Sequence, residues 1–268
     1  MAKIENDKYY TPDCLAEYCV NKAKEIIGEE NITEYLEPSA GEGVFLNYLP
    51  ENTLAYDLYP EGEGIIKQDY LTLELPYKKG RCIIGNPPFG DRNNLSRKFY
   101  KKSISLGDYI AFIQPVSQLN NAKSLFEFDL IYSENLGEII FNLNNKIKCC
   151  FNIYKRPKDG LNKRKTNKLK DISIYREDYK GLVNGKSYED MDYDLCIFRR
   201  GSSVGKVKKT NINTQTYKIV IHNDDLKYDV IEVLLNYNWL EHFEYCSAPA
   251  IYKEDIYELL KSKIPNIK

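Results

Sequence analysis

The chain has 268 residues, of which 43% are hydrophobic and 29% are charged, and its formal net charge is -1. This length and composition predict a globular protein with a substantial core, built as one large domain or as a core domain with a smaller one. A net charge near zero argues against a protein that coats nucleic acid non-specifically through a strongly basic surface.

Targeting, membrane and metal signals are absent from the sequence. The polar start of the chain lacks the apolar stretch of a signal peptide, and no segment approaches the roughly 20 apolar residues of a membrane span. The seven cysteines include no Cys-x-x-Cys pair, which favours reduced buried thiols over a disulfide framework or a zinc site. We therefore expect an intracellular, cytoplasmic protein without a metal.

The first predicted element is a helix over residues 13–27, where apolar residues recur at helical spacing after Thr11-Pro12-Asp13. A short strand at 35–36 follows, and then a glycine-containing turn at 37–43. The next segment, 44–49, is compatible with a helix that ends at Pro50. The order strand, glycine turn, helix is typical of an α/β protein.

The pattern of alternating strands and helices continues to about Pro157. Further strands are predicted at 54–57, 64–69, 81–86, 109–115, 138–141 and 148–154, with a helix at 96–105. The run Tyr109–Pro115 is continuously apolar up to Gln114, as in a parallel strand covered on both faces. We predict an α/β domain over residues 1–157, with several strands that end in a polar residue.

Residues 158–268 are predicted to form a small α+β region. Strands are expected at 195–198 and 217–221, and helices at 228–237 and 256–264. The connection to it is basic: eight Lys and Arg residues lie between Lys155 and Lys170, against the single acid Asp159. This segment is either a solvated loop or a phosphate-contacting element, in which Lys155 and Arg156 are candidate substrate contacts.

Polar residues at the ends of the predicted strands indicate a ligand site, because ligands bind at the carboxyl ends of parallel strands. A glycine turn alone often serves only to turn tightly. Here Asp57 follows Gly41 by 16 residues and can accept both hydroxyls of a ribose, while Asp69 can accept from an adenine amino group. Singly, each acid is as easily explained as a solvated strand end.

The fourth of these strands runs into Asn86-Pro87-Pro88-Phe89, in a chain with only 11 prolines. The alternative is a rigid Asn-Pro turn. Chemically, the motif suits an aromatic amine, whose delocalised lone pair makes it a poor nucleophile. The side-chain oxygen of Asn86 and the carbonyl oxygen of Pro87 can accept hydrogen bonds from the two hydrogens of the amine, which would favour a tetrahedral nitrogen. Proline restricts the backbone, so these two oxygens stay in place. Phe89 offers a stacking face worth roughly 1–3 kcal/mol per base.

Together these residues resemble the amino-methyltransferase family of DNA methyltransferases, with S-adenosylmethionine as cofactor. The resemblance implies a Rossmann-like class I methyltransferase sheet with helices on both faces. It implies a catalytic motif at Asn86, Pro87, Pro88 and Phe89, with Asn86 also near the cofactor. The implied cofactor residues are Tyr10, Thr11 and Pro12 of an N-terminal motif, Glu37, Pro38, Ser39, Ala40, Gly41 and Gly43 of the glycine motif, Asp57 with Leu58 at the ribose, and Asp69 with Tyr70 at the adenine.

The resemblance also implies a substrate, the N6 amine of adenine in DNA, flipped out of the stack. Phe141 resembles the second aromatic that sandwiches the base, with Phe151 as its rival. The motif order resembles the gamma arrangement, in which target recognition lies C-terminal, and a bacterial or phage-type restriction-modification setting is expected. Alternatives are an RNA adenine-N6 methyltransferase, since some ribosomal RNA enzymes carry Asn-Pro-Pro-Phe-Gly, a protein glutamine methyltransferase, and a non-catalytic nucleic-acid-binding relative.

Overall fold

The structure is a computed structural model that describes residues 10–121, 125–142, 145–163, 168–176, 182–183, 186–187, 192–209, 215–239 and 250–268. The chain divides into two compact units, Met1–Arg164 and Lys165–Lys268. The predicted division, after residue 157, lies at the end of the last strand of the first unit. Tyr9, the first residue of the N-terminal motif Tyr9-Tyr10-Thr11-Pro12, and residues 164–167 of the basic segment lie outside the described residues.

The first unit is built on one seven-stranded sheet, which confirms the predicted Rossmann-like α/β fold. Its strands are β1 Glu34–Glu37, β2 Leu54–Asp57, β3 Ile66–Lys67, β4 Arg81–Gly85, β5 Tyr109–Pro115, β6 Asp129–Asn142 and β7 Asn145–Lys155. They lie in the order β3-β2-β1-β4-β5-β7-β6. Strands β1 to β5 are parallel, whereas β7 runs antiparallel to both β5 and β6. The strand order reverses between β1 and β4, which is where such sheets bind ligands.

Helices cover both faces of this sheet, as predicted. Helix α1, Asp13–Ile27, has the predicted bounds and packs on one face together with the 3-10 helix Val44–Tyr48. Helix α2, Asn94–Ile104, packs on the other face through Phe99, Tyr100 and Ile104. The central strands β4 and β5 are therefore buried on both sides, which explains their almost unbroken apolar sequence.

The β6–β7 hairpin is much longer than the two short strands predicted from sequence. β5 ends at Pro115, which pairs with Cys149, so the part of the hairpin from Glu138 to Lys148 continues past the end of β5. We call this part, residues 138–142 and 145–148, the hairpin extension. Three register irregularities interrupt the alternation of β6. Each irregularity shifts the side-chain pattern by a residue, so a period-two search finds only fragments.

The second unit is the predicted α+β region. Its four-stranded antiparallel sheet has the order β12-β11-β13-β8, and a separate pair is formed by β9 and β10. The bounds are β8 Ile172–Arg176, β9 Leu182–Val183, β10 Lys186–Ser187, β11 Leu195–Phe198, β12 Val207–Lys208 and β13 Thr216–Ile221, with helices α3 Lys227–Asn236 and α4 Lys253–Lys263. β8 was not predicted, because its buried Ile172 and Ile174 lie in a stretch rich in Lys and Asn.

Within the part of the chain that the structure describes, none of the helices has both the length and the apolar composition to cross a membrane. The same residues contain no group of three or more His, Cys, Asp or Glu placed to hold a metal ion. The six described cysteines are free thiols and five of them are buried, in line with the sequence-based expectation.

Candidate active site

The glycine turn, the end of β2 and the end of β4 meet at one edge of the sheet. β1 lies between β2 and β4 and runs parallel to both, so the residues that follow these three strands emerge side by side. Hydrogen bonds join them: the Gly41 amide donates to Asp57 Oδ2 at 2.8 Å, and Ser39 Oγ donates to the Asn86 carbonyl at 3.3 Å. The structure therefore brings together the two motifs that the sequence places 43 to 49 residues apart in the numbering.

The glycine turn leaves open space beside its main chain. Gly41 and Gly43 have φ angles of 55° and 87°, in the region that favours glycine. A Cβ atom at Gly41 would meet nothing within 4 Å, so at this position the backbone conformation and not crowding requires glycine. The Gly41 carbonyl accepts from the amides of Glu61 and Gly62, which ties the turn to the loop after β2. A ligand can thus approach a backbone that is itself held firmly.

Asp57 supports this turn with both carboxylate oxygens. Oδ2 accepts from Gly41, and Oδ1 accepts from the Tyr59 amide at 2.7 Å. A carboxylate oxygen has more than one acceptor site, so Asp57 can still receive ligand hydroxyls. The neighbouring Leu58 is 40% exposed and so leaves an apolar surface beside Asp57.

The next predicted pair, Asp69 and Tyr70, has mainly structural contacts. Asp69 caps the 3-10 helix that follows β3, with Oδ1 accepting from the Leu71 amide at 2.9 Å. The Tyr70 ring is buried against Phe99, with ring centroids 5.1 Å apart, and its hydroxyl is hydrogen-bonded to Ser103. The Tyr70 side chain is therefore a core residue under α2, and only its main chain is left for a role at the ligand edge.

Glu37, the last residue of β1, has a buried carboxyl group, and one of its oxygens lacks a hydrogen-bond partner among the described residues. Its side chain is 1% exposed, and Oε2 has no hydrogen-bond partner among the described residues. Burial raises the pKa of Glu37 well above its ordinary value, and the nearby charge of Asp57 raises it further. Gly85 lies close by, since a Cβ atom there would come within 3.4 Å of Glu37 Cγ. An acceptor that is buried without a partner is a candidate ligand contact.

Asn86 has a second buried acceptor of this kind. Its side-chain nitrogen donates to Thr11 Oγ1 at 3.1 Å, whereas its Oδ1 is buried and has no partner among the described residues. Leaving such an oxygen unpaired costs about 1–3 kcal/mol. Thr11 lies two residues before the start of α1, and the adjacent Tyr10 hydroxyl donates to Glu61 at 2.9 Å. The N-terminal motif is thus bonded to the loop after β4 and to the loop after β2.

The Asn86 loop, residues 86–90, continues into an aromatic contact. The Phe89 and Phe141 rings meet edge to face, with centroids 6.4 Å apart and planes at 83°. Phe141 lies in the hairpin extension and not in a loop, and both rings are almost fully buried. The rival Phe151 lies in β7 opposite Ile113, with no exposed surface. Phe141 is therefore in ring contact with Phe89, whereas Phe151 is a residue of the sheet core.

No protein-family model matches the chain, and no curated protein sequence matches it. Similar solved structures include a candidate RNA methyltransferase of Pyrococcus horikoshii, with 16% identity over 58% of this chain and 89% of that one, at a TM-score of 0.46. A Thermoplasma acidophilum protein has 17% identity over 56% of this chain and 90% of that one, at 0.42. A candidate class I S-adenosylmethionine-dependent methyltransferase of Listeria monocytogenes has 11% identity over 58% and 64%, at 0.42. Similarities at this level do not support an argument about activity.

Two predicted substrate contacts, Lys155 and Arg156, are not brought to this edge. Lys155 ends β7 opposite Tyr109, the first residue of β5, so it lies at the amino edge of the parallel strands. The Arg156 guanidinium is bonded within the fold: it donates to the carbonyls of Ile104 and Gly107 and to Asp108 Oδ1. The antiparallel direction of β7, which the sequence did not reveal, carries both residues away from Asn86.

In the loop after β2, the residues beyond Leu58 were missed as part of the site. Glu61 binds Tyr10, and Gly62 packs so closely that a Cβ atom there would lie 2.4 Å from the Glu42 carbonyl oxygen. The two glycines at 62 and 64, five and seven residues after the acidic strand end Asp57, are the sequence signal that could have indicated this loop.

We predict that Glu37→Gln removes a pH-dependent loss of stability. Because folding raises the pKa of Glu37, the folded state holds a proton that the unfolded chain releases, so stability falls as the pH rises through that window. The difference in the free energy of unfolding between Glu37→Gln and the wild type should grow by about 1.4 kcal/mol per pH unit between the unfolded-state and folded-state pKa of Glu37, and it should vanish below that range. Urea unfolding from about pH 4 to about pH 7 measures this, and a pH-independent difference would contradict it.

We predict that Arg156→Lys lowers stability and, if the chain binds an oligonucleotide, leaves that binding unchanged. A lysine cannot replace the fork of bonds that Arg156 makes to two carbonyls and Asp108, so a loss of about 1–3 kcal/mol is expected in urea unfolding. Lys158→Gln, at an exposed position nearby, is the control and should change neither quantity. Unchanged stability together with weaker binding of an oligonucleotide would restore Arg156 as a substrate contact.

Proposed function

We propose that this chain is an S-adenosylmethionine-dependent methyltransferase that methylates the N6 amine of adenine in DNA. The observation that carries the proposal is the buried, unpaired Oδ1 of Asn86, in a loop hydrogen-bonded to the glycine turn through Ser39. A buried acceptor without a partner is costly to the free protein, and a ligand that donates a hydrogen there removes the cost. An exocyclic amine is such a donor.

The residues of the neighbouring turn fit the cofactor. S-adenosylmethionine has an ammonium group, a sulfonium, a ribose and an adenine, and when bound it supplies an electrophilic methyl group. Glu37 offers a buried carboxyl with a free acceptor to the cationic end, the open backbone at Gly41 admits the chain, and Asp57 accepts from the ribose. The exposed Leu58 offers an apolar surface to the adenine. A bound cation would lower the raised pKa of Glu37 and so favour its ionised form.

Asn86 and Pro87 are assigned to the substrate amine. Because the Asn86 nitrogen is committed to Thr11, the amide oxygen is the end left for a ligand. The Pro87 carbonyl is the second acceptor, and the two prolines restrict the loop so that these oxygens do not reorganise during the reaction. The amine loses its proton only after the nitrogen becomes cationic, so no general base of high pKa is needed.

Phe89 and Phe141 are assigned to the base. In the present conformation each ring covers the other, and stacking on an adenine would replace that edge-to-face contact at roughly 1–3 kcal/mol per base. The adenine must leave the duplex to reach this place. DNA is proposed over RNA on the resemblance of Asn86-Pro87-Pro88-Phe89 to the motif of the DNA amino-methyltransferases.

The test is methyl transfer from radiolabelled S-adenosylmethionine to purified duplex DNA, with RNA of matched sequence beside it. We expect labelled N6-methyladenine in the DNA. Label in RNA alone would transfer the assignment to an RNA adenine methyltransferase, and binding of the cofactor without transfer to either would indicate a non-catalytic relative. Target recognition by the second unit and a restriction-modification role are expectations of the resemblance that sequencing of modified bases would examine.

We predict that Asn86→Ala abolishes methyl transfer while cofactor affinity, measured by calorimetry, stays within about threefold. Removing one preorganised hydrogen-bonding group from a developing charge costs about 10²–10³ in kcat. Asn162→Ala, at an exposed asparagine of the same unit, is the matched control and should retain full activity. Turnover of Asn86→Ala equal to that of Asn162→Ala would remove Asn86 from the reaction.

A further inference from the structure

Four fully buried polar side chains connect the carboxyl end of β5 to the first turn of α2. Their centre is Gln114, whose amide oxygen accepts from Asn152 Nδ2 at 2.8 Å and from the Tyr154 hydroxyl at 3.0 Å. The Gln114 amide nitrogen donates to Ser96 Oγ at 3.3 Å. All four residues have no exposed surface. We call them the Gln114 network.

On one side the network reaches the Asn86 loop. Ser96 lies in the first turn of α2, and its amide and that of Leu95 both donate to the Phe89 carbonyl, at 3.3 and 3.2 Å. The residue that receives the Gln114 bond therefore also holds the backbone of the loop's aromatic residue. A second bond, from Asn93 Nδ2 to Ser117 Oγ at 2.7 Å, joins the segments that follow β4 and β5.

On the other side the network reaches the hairpin. Asn152 lies in β7, and its Oδ1 accepts from Ser133 Oγ of β6 at 2.7 Å. Asn152 Nδ2 also donates to the Gln118 carbonyl at 2.8 Å. β6 and β7 are the strands that continue into the hairpin extension with Phe141. A continuous series of hydrogen bonds thus runs from the Phe89 carbonyl to the strands that carry Phe141.

Burying such a network has a free-energy cost that an apolar core does not have. Buried amides and hydroxyls cost free energy unless every group is paired, whereas apolar side chains of similar size carry no such condition. Elsewhere on the same strand the core is apolar, as at Ile110 and Phe112. When fully paired, a polar network is directional, so it holds its elements at one distance where apolar packing would tolerate several.

We infer that Gln114 and Ser96 are positioning residues that hold the Asn86 loop at the separation from the hairpin that methyl transfer needs. The inference rests on the proposed function, since it concerns the geometry of that site. Neither side chain contacts the proposed ligands. Loss of the bond between them is expected to displace the Asn86 loop and to lower turnover, while the glycine turn and cofactor affinity are unaffected.

The test compares Ser96→Ala with Ser103→Ala. Both serines are fully buried on α2, and both lose the same atom, but Ser103 bonds to Tyr70 and to the Phe99 carbonyl, outside the Gln114 network. At saturating cofactor and DNA, Ser96→Ala should lower kcat by about tenfold or more, because small displacements of reacting groups cost that much. Ser103→Ala should lower the free energy of unfolding about as much as Ser96→Ala does, but its kcat should stay within about twofold of wild type.

A second pair of variants changes Gln114 itself. Burial without a cation keeps the new carboxyl of Gln114→Glu protonated, so one oxygen still accepts from Asn152 and Tyr154 and the hydroxyl can donate to Ser96; kcat should stay within about threefold. Gln114→Met has the same length without polar groups and should behave like Ser96→Ala. Hydrogen exchange at the Leu95 amide should accelerate in Gln114→Met and not in Ser103→Ala, which reports the loop directly and without turnover.

The outcomes separate this inference from the proposed function. If the wild-type chain transfers no methyl group to nucleic acid, the proposed function fails and the inference fails with it. If the wild type is active and Ser96→Ala keeps its kcat, or loses no more than Ser103→Ala, only the positioning role is overturned. A fall in cofactor affinity equal to the fall in kcat would also overturn it, since that indicates general loss of structure.

Discussion

The hydrogen bond from the Asn86 side-chain nitrogen to Thr11 is the interaction on which the candidate site depends. It decides which end of the amide stays available, and it leaves a buried oxygen without a partner. Because Thr11 precedes α1 and Asn86 follows β4, the bond also joins two segments that lie 75 residues apart in the chain. A site whose acceptor is oriented before the ligand arrives needs little reorganisation during reaction.

Glu37 at the end of β1 and Asn86 directly after β4 each have a buried oxygen that finds no partner in the part of the chain that the structure describes. Each lowers the stability of the free protein, and native structures contain few such groups. Their occurrence together, at the edge where the strand order reverses, is more economically explained by ligand binding than by two separate defects in packing. In the proposed function, Glu37 receives the cationic end of the cofactor and Asn86 receives the substrate amine.

Hydrogen bonds within the rest of the first unit hold the elements that form this edge of the sheet. The Gln114 network bonds α2 to the hairpin strands, while the Asp57 carboxylate and the Gly41 carbonyl bind the turn to the loop after β2. The fold therefore fixes the two halves of the site by different means. The proposed cofactor half is held by local turns and strand ends, and the proposed substrate half is held by contacts between elements that are distant in sequence.

The sequence by itself determined the element types and the motif positions. The bounds of α1, β2, β5 and β11 were predicted to the residue, because their apolar periodicity is regular and their ends carry proline, glycine or polar residues. Composition and pattern also indicated the α/β order and the strand-end residues Glu37, Asp57 and Asn86. These features depend on residues close together in the chain, which a linear pattern records.

Only the tertiary structure decided which of these residues meet. The antiparallel direction of β7 removed Lys155 and Arg156 from the site, and the bulged, lengthened β6 brought Phe141 to Phe89. The burial of Tyr70 and the pairing of Gln114 with Ser96 depend on α2 packing over the sheet. Strand direction, register and helix packing arise from contacts between distant segments, and the period of a single segment contains no information about its partner.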